Sequence, residues 1–257
     1  MPWNPKIYNE FKELRNKPFY DLMDFIKESK AIKAIDLGCG TGEQTAILAK
    51  KFSKTDFMGI DSSAEMLDKS KTLDAKNLRF ERATVEDIAE SNQKWDLIFS
   101  NAALQWSDNH EVLFPKLIDL INPKGQFAVQ MPVQNENILN KILYQLAGEE
   151  PFKTYLNDWR RDSPVLTIDQ YAQIMFDGEL EDIQVMQKIY PMIAQDNDHE
   201  ALYNFISGSA LIPYIERLDK EQQKHFVSTF KERIAEHFPK LPAIYAFKRI
   251  LLYGRKA

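Results

Sequence analysis

The chain has 257 residues, 44% of them hydrophobic, which allows a sizeable buried core and sits at the upper end of what stays one domain. A formal net charge of -5 supplies no broad basic field and argues against nucleic-acid binding. One cysteine excludes an intramolecular disulfide and predicts the reducing cytoplasm, and His110, His199, His225 and His237 show no metal-ligand spacing, so no metal is expected.

Met1-Pro2-Trp3-Asn4-Pro5-Lys6 leads into a charged helical pattern, so neither a signal peptide nor a membrane span is expected. Ile7, Phe11, Leu14, Leu22, Phe25 and Ile26 give residues 7–28 the spacing of an amphipathic helix, which Pro18 is expected to break in two. Ala31 to Leu37 is the first candidate strand, followed by Gly38-Cys39-Gly40-Thr41-Gly42 and a helix through Thr45 to Phe52. Phe57-Met58-Gly59-Ile60 is a second strand ending at Asp61. Ser62 is then placed to cap a helix, with Glu65 at the reciprocal position.

Leu78 to Phe80, Asp96 to Phe99 and Phe127 to Val129 continue the series of strands. A helix carrying Val112, Leu113, Leu117, Leu120 and Ile121 separates the last two, stopped by Asn122-Pro123-Lys124-Gly125. Val133 to Asp169 opens as helix and closes on aromatic and charged residues, the composition of a lid. Thr167 with Gln170 forms a capping box before Tyr171, Ile174 and Met175; Ile183 to Tyr190 and Phe247 to Tyr253 are the last strands. Between these lies helix from about Glu200 to Phe238, interrupted at Pro213 and restarted by Asp219 with Gln222. It reads either as an insertion over the ligand-bearing edge or as a simple packing bundle. Strands alternating with helices predict a mostly parallel sheet covered on both faces.

Gly38, Gly40 and Gly42 form G-x-G-x-G, whereas the dinucleotide fingerprint needs its third glycine one place later. Glu43 stands where a pyrophosphate would compete for the helix N-terminus, so a cationic ligand without phosphates is favoured. Asp61, 25 residues after Asp36, is placed to accept from both hydroxyls of a ribose, its plainer reading being a solvated acid before a helix. Asp36 is expected to order the loop by accepting backbone hydrogen bonds, with a ligand ammonium as a second contact.

These residues resemble the S-adenosylmethionine-dependent methyltransferases of the seven-stranded class. The resemblance implies a Rossmann-like α/β fold with a seven-stranded mostly parallel sheet, as one methyltransferase domain over residues 1–257. Residues 1–28 would form an N-terminal helical lid and 199–238 a helical insertion before the last strand. It also implies S-adenosyl-L-methionine as cofactor, held by Asp36, Gly38, Gly40, Gly42, Asp61, Ser62, Thr84, Val85 and Asn101. Ala83-Thr84-Val85 should border the adenine, with Thr84 where many relatives carry Asp.

A closer resemblance is to the trans-aconitate 2-methyltransferases. It rests on Trp3-Asn4-Pro5 with Tyr8, Phe11, Arg15 and Pro18, on Asn101-Ala102-Ala103-Leu104-Gln105-Trp106, and on Val129-Gln130-Met131-Pro132. It implies esterification of a small tricarboxylic acid. Ala210-Leu211-Ile212-Pro213 departs from the arginine those enzymes tend to carry before a proline, which points toward a more apolar acid.

A carboxylic acid of pKa roughly 4 is already ionised at neutral pH, so the protein needs to align and to exclude water more than to move protons. Asn101, Gln105 and Trp106 are the catalytic candidates, by placement; the plainer reading is a helix start with Trp106 packed. Tyr8, Arg15, Arg160 and Arg161 are the candidate donors to an anionic substrate, although adjacent arginines are also common as solvated groups. His110 reads as a residue of a first helical turn instead of a base, and Cys39 as a compact side chain. The alternatives are an O- or N-methyltransferase of another small metabolite and a non-catalytic adenosylmethionine-binding partner. The run Asn101-Ala102-Ala103-Leu104 lacks the two prolines and aromatic of adenine-amine and glutamine-amide methyltransferases. A monomer is the default.

Overall fold

A computed structural model describes residues 12–27, 32–73, 75–195 and 199–257. In chain order the elements are α1 (Lys12–Met23), β1 (Ile32–Leu37), α2 (Glu43–Lys51), β2 (Thr55–Asp61), α3 (Ala64–Ser70), β3 (Leu78–Arg82), α4 (Val85–Ala89), β4 (Trp95–Asn101), a 3-10 turn (Leu104–Trp106), α5 (His110–Asp119) and β5 (Ile121–Pro132). There follow α6 (Ile138–Ala147), α7 (Phe152–Tyr155), α8 (Ile168–Asp177), β6 (Leu180–Ala194), α9 (His199–Ser207), α10 (Ile212–Ile215), α11 (Lys220–His237) and β7 (Ala243–Lys256). Helices α9 to α11 are an insertion before the last strand. Among the described residues no helix is long and apolar enough to cross a membrane.

The chain divides into two compact units. The larger comprises residues 17–132, 164–188 and 249–257 and carries the sheet, in the order β3-β2-β1-β4-β5-β7-β6. β1 pairs in parallel with β2 and β4, β2 with β3, and β4 with β5, whereas β7 runs antiparallel to β5. Ala34, Ile35 and Leu37 of β1, Leu97, Ile98 and Phe99 of β4, and Phe127, Ala128 and Val129 of β5 are all fully buried. Such unbroken apolar runs are what a parallel strand requires when both faces are covered. The shared register brings the carboxyl ends of β1, β2 and β4 to one edge, because Asp36 lies level with Gly59 on one side and Phe99 on the other.

The second unit takes residues 133–163, 189–248 and the described residues before 17. Its core is helical: Leu139, Leu143 and Leu146 of α6 and Phe226, Phe230 and Ile234 of α11 recur at the three- and four-residue spacing that puts them on one face. Leu202 and Phe205 of α9 and Tyr214 of α10 join the same cluster.

Several local expectations are corrected. Pro18 lies inside α1, which runs through it, and Phe19 and Leu22 just beyond it are fully buried. Proline removes one backbone donor, and a helix tolerates that loss when packing holds the following turn. Ser63, not Ser62, caps α3, its hydroxyl accepting from Met66 N at 3.3 Å. The shift follows from Asp61, whose carboxylate already accepts from Ser63 N and carries the turn one residue further. Ile121 belongs to β5, and Asn122 to Gly125 form an excursion within it, since Ile121 pairs with Trp95 and Gln126 with Leu97. Pro213 lies in the first turn of α10, where its missing donor costs nothing, and the helix is interrupted before it, over 208–211, and after it, over 216–219. Both capping boxes, Thr167 with Gln170 and Asp219 with Gln222, form as the sequence predicts.

Candidate active site

The turn after β1 is built on backbone that side chains would spoil. Gly38, Gly40 and Gly42 have φ of 75°, 57° and 77°, in the left-handed region that favours glycine. A Cβ on Gly38 would stand 2.2 Å from Ala103 Cβ, and one on Gly42 2.5 Å from the Phe80 ring. These two glycines let the turn pack. Gly40 differs, because a Cβ there would meet nothing within 4 Å, so its bare backbone faces open space. Gly38 N and Cys39 N both donate to Ile60 O, at 2.9 and 2.8 Å, and tie the turn to the end of β2. Cys39 is the compact residue expected: burial, with Asp36 and Asp61 nearby, pushes its thiol far above the usual range.

Asp61 ends β2 half-buried, with Oδ2 accepting from Gly40 N at 2.9 Å and Oδ1 from Ser63 N at 2.8 Å. Asp36 behaves differently from the expectation. Its Oδ2 accepts from the Thr45 hydroxyl at 2.6 Å, and the carboxylate that takes the loop's N–H is that of Asp61. Asp36 sits at the fifth of the six positions of β1 and is only 3% exposed. Burial raises its pKa to about 7, the Thr45 hydroxyl opposes this, and the charge of Asp61 adds to it. A cationic ligand at this corner would draw Asp36 into its ionised form.

Thr84 caps α4 in a full capping box: its hydroxyl accepts from Asp87 N at 3.0 Å and its own N–H donates to Asp87 Oδ2 at 2.9 Å. Those bonds hold the Asp87 carboxyl below its ordinary pKa. The Thr84-x-x-Asp87 spacing is the sequence signal of this cap. Val85 is the first residue of α4, and Ser62 O accepts from Arg82 Nε at 3.1 Å.

Beyond β4, Asn101 Nδ2 donates to Gln44 Oε1 at 2.9 Å. Ala102 takes φ 56°, and Gln105 Nε2 turns back to Ala102 O at 2.7 Å, so Gln105 braces its own loop. Trp106 is 42% exposed, which removes its reading as a packed core residue. His110 opens α5, as expected, and is almost fully buried. Leu104 O can only accept, so His110 Nε2 carries the hydrogen at 2.9 Å, and Nδ1 accepts from the Tyr171 hydroxyl at 2.5 Å. Tyr171 Oη in turn accepts from Leu166 N at 3.1 Å. Burial lowers the His110 pKa, in keeping with a neutral structural pin.

The larger unit thus brings together the expected residues 36, 38, 40, 42, 61, 62, 84, 85, 101, 105 and 106, at the carboxyl ends of its strands. Of the expected substrate donors, Arg15, Arg160 and Arg161 belong to the helical unit. Arg15 Nη2 donates to Phe205 O at 2.5 Å, and its guanidinium lies 5.2 Å from that ring's centroid. Arg160 lies 4.5 Å from the Tyr144 ring centroid, and Tyr144 donates to Asp162 at 2.8 Å. Arg161 N donates to the Tyr214 hydroxyl at 3.2 Å. Tyr8 lies outside the described residues.

A family model described as a methyltransferase domain matches residues 28–197. The trans-aconitate 2-methyltransferase of Deinococcus radiodurans is 37% identical over 262 aligned residues, covering 100% of this chain and 99% of that protein. The enzyme of the same name from Variovorax paradoxus is 29% identical with the same coverage. Among solved structures, the YcgJ protein of a Bacillus species superposes with a TM-score of 0.59 at 14% identity, covering 93% of this chain and 97% of that one. Phosphoethanolamine N-methyltransferase 2 of Haemonchus contortus, solved with S-adenosyl-L-methionine, gives 0.56 at 18% identity, covering 94% of this chain and 52% of that one. At such identities these structures show the fold.

The residues present fit that cofactor. Open backbone at Gly40 leaves room for a ligand, each Asp61 oxygen keeps acceptor capacity for a ribose hydroxyl, and two neighbouring acids suit a cation. The protein is an enzyme that uses S-adenosyl-L-methionine and acts on a small organic substrate. Its whole length aligns with enzymes of one specificity group, and the chain belongs to the S-adenosylmethionine-dependent class I methyltransferases, related to the trans-aconitate 2-methyltransferase family.

Proposed function

We propose that this enzyme methylates a carboxylate oxygen of a small organic acid, trans-aconitate or a related acid of lower charge. The observation that supports it best is the end-to-end alignment, at 37% identity, with an enzyme named for that reaction. Bound at the glycine turn, S-adenosylmethionine supplies an electrophilic methyl group on a sulfonium. Asp61 holds its ribose and Asp36 its positive charge, while Gly38, Gly40, Gly42 and Ser62 line the turn and Thr84 with Val85 borders the adenine. Asn101, Gln105 and Trp106 form the mouth for methyl transfer. Tyr8, Arg15, Arg160 and Arg161 donate to the acceptor's carboxylates, in a single methyltransferase domain whose residues 1–28 serve as lid and 199–238 as insertion.

An ionised acceptor asks for no general base. That agrees with His110, both of whose ring nitrogens are engaged. Ile212, half-buried at the head of α10, offers no donor and favours an acid with fewer carboxylates. The single cysteine suits work in the cytoplasm.

Transfer of labelled methyl from S-adenosylmethionine to a panel of mono-, di- and tricarboxylic acids tests the reading. Label released as methanol by mild alkali marks an ester and is expected. Alkali-stable label in amine or hydroxyl acceptors, with none in the acids, would overturn it.

A further inference from the structure

Behind Asn101 lies a chain of polar groups outside the expected site. Arg249 on β7 is 4% exposed and Gln130 on β5 is fully buried, two strands that pair with Gln130 opposite Leu251 and Pro132 opposite Arg249. A guanidinium has only donors, so Gln130 turns its Oε1 toward Arg249, accepting from Nε and, at 3.2 Å, from Nη2. The other end of the amide, Nε2, then donates to Asn101 Oδ1 at 2.7 Å. With that oxygen engaged, Asn101 presents Nδ2 to Gln44 Oε1 at 2.9 Å. Gln44 is the second residue of α2, directly after the glycine turn. The backbone reinforces the arrangement, because Ala102 N donates to Gln130 O at 2.9 Å.

A carboxamide turned through half a revolution keeps its shape and exchanges donor for acceptor. Three amides in a row therefore satisfy one another equally well in either direction. A fixed charge at one end removes that degeneracy. We propose that Arg249 is a positioning residue: through Gln130 its charge sets the direction of the Asn101 and Gln44 amides, and so which groups the end of β4 and the head of α2 offer to the cofactor. This rests on the reading that places Asn101 at the cofactor.

Gln130→Glu tests it with almost no change of shape. A carboxylate beside Arg249 has only acceptors, so Asn101 must turn its Nδ2 inward and Gln44 must reverse in response. The expected result is a melting temperature equal to the native one or higher, since Arg249 gains a charged partner. The dissociation constant for S-adenosylhomocysteine, read by calorimetry, rises about tenfold, the scale of one hydrogen bond. Gln130→Met, which removes both polar ends, lowers the melting temperature and the affinity together. Native affinity in Gln130→Glu would overturn the proposal, as would an affinity loss accompanied by the same drop in melting temperature as Gln130→Met. Because this probe needs no acceptor, its outcome is independent of whether carboxylic acids are methylated.

Discussion

The two units of this chain carry function in different ways. In the sheet unit each candidate residue sits where a parallel strand ends: Asp36 and the glycine turn on β1, Asp61 on β2, Asn101 on β4. Position follows from topology, because parallel register carries all the strand ends to one edge. The helical unit offers no such reference. Its order comes from apolar faces such as Phe226, Phe230 and Ile234, and three of its arginines lie on local aromatics: Arg15 on Phe205, Arg160 on Tyr144 and Arg217 on Trp159. A parallel sheet thus announces its ligand edge, whereas a helical cluster shows only what holds it together.

Substitutions can break that contrast or sharpen it. The largest effect is expected at the glycine turn, where Gly38→Ala meets Ala103 Cβ at 2.2 Å and a left-handed backbone. The two costs together are about 2–5 kcal/mol, read as a lower melting temperature. Adding Ala103→Gly should restore the steric part and leave the backbone part. Asp61→Ala comes next, weakening S-adenosylhomocysteine binding by about 1.5–3 kcal/mol in calorimetry, the range for hydrogen bonds to a charged group. An unchanged affinity would remove Asp61 from the site.

Asp36 gives a pH signature. Its folded pKa of about 7 lies above the ordinary 3.8, so the folded protein keeps a proton that the unfolded chain gives up. The stabilisation is complete below about pH 4 and is lost as the pH rises through about 7. Asp36→Asn, which stays neutral, should therefore melt higher than the native protein at pH 8, with the gap closing as the pH falls toward 4. The same variant should bind cofactor more weakly at pH 8, where it lacks the negative charge. The smallest effect is expected in the helical unit: Arg15→Ala should raise the KM for the acid several-fold with cofactor affinity nearly intact. A loss of cofactor affinity alone would reject its assignment to the acceptor.

Much of the sheet unit was legible beforehand, because a strand of buried apolar residues ending in glycine has few other meanings. The capping boxes at Thr167 and Asp219 were equally plain, since each needs only two residues three apart. Errors arose where two local signals competed. Ser62 and Ser63 are both good caps, and the carboxylate of Asp61 decided between them. Pro18 is a helix breaker by propensity, and burial of Phe19 and Leu22 overrode it. Asp36 and Asp61 both stand toward the carboxyl ends of adjacent strands, yet spacing alone does not separate their tasks of binding the Thr45 hydroxyl and the Gly40 N–H.

What the amino-acid order determined by itself is the alternation of strand and helix, the bare turn at residues 38–42 and the acid that ends β2, because each is a short-range pattern with its own physical requirement. Only the tertiary structure decided which carboxylate holds the turn, that His110 is pinned between Leu104 and Tyr171, and that Arg249 stands behind Gln130 and Asn101. Those partners lie 6 to 148 positions apart in the chain, and a hydrogen bond depends on direction and distance in space, which spacing along a sequence does not carry.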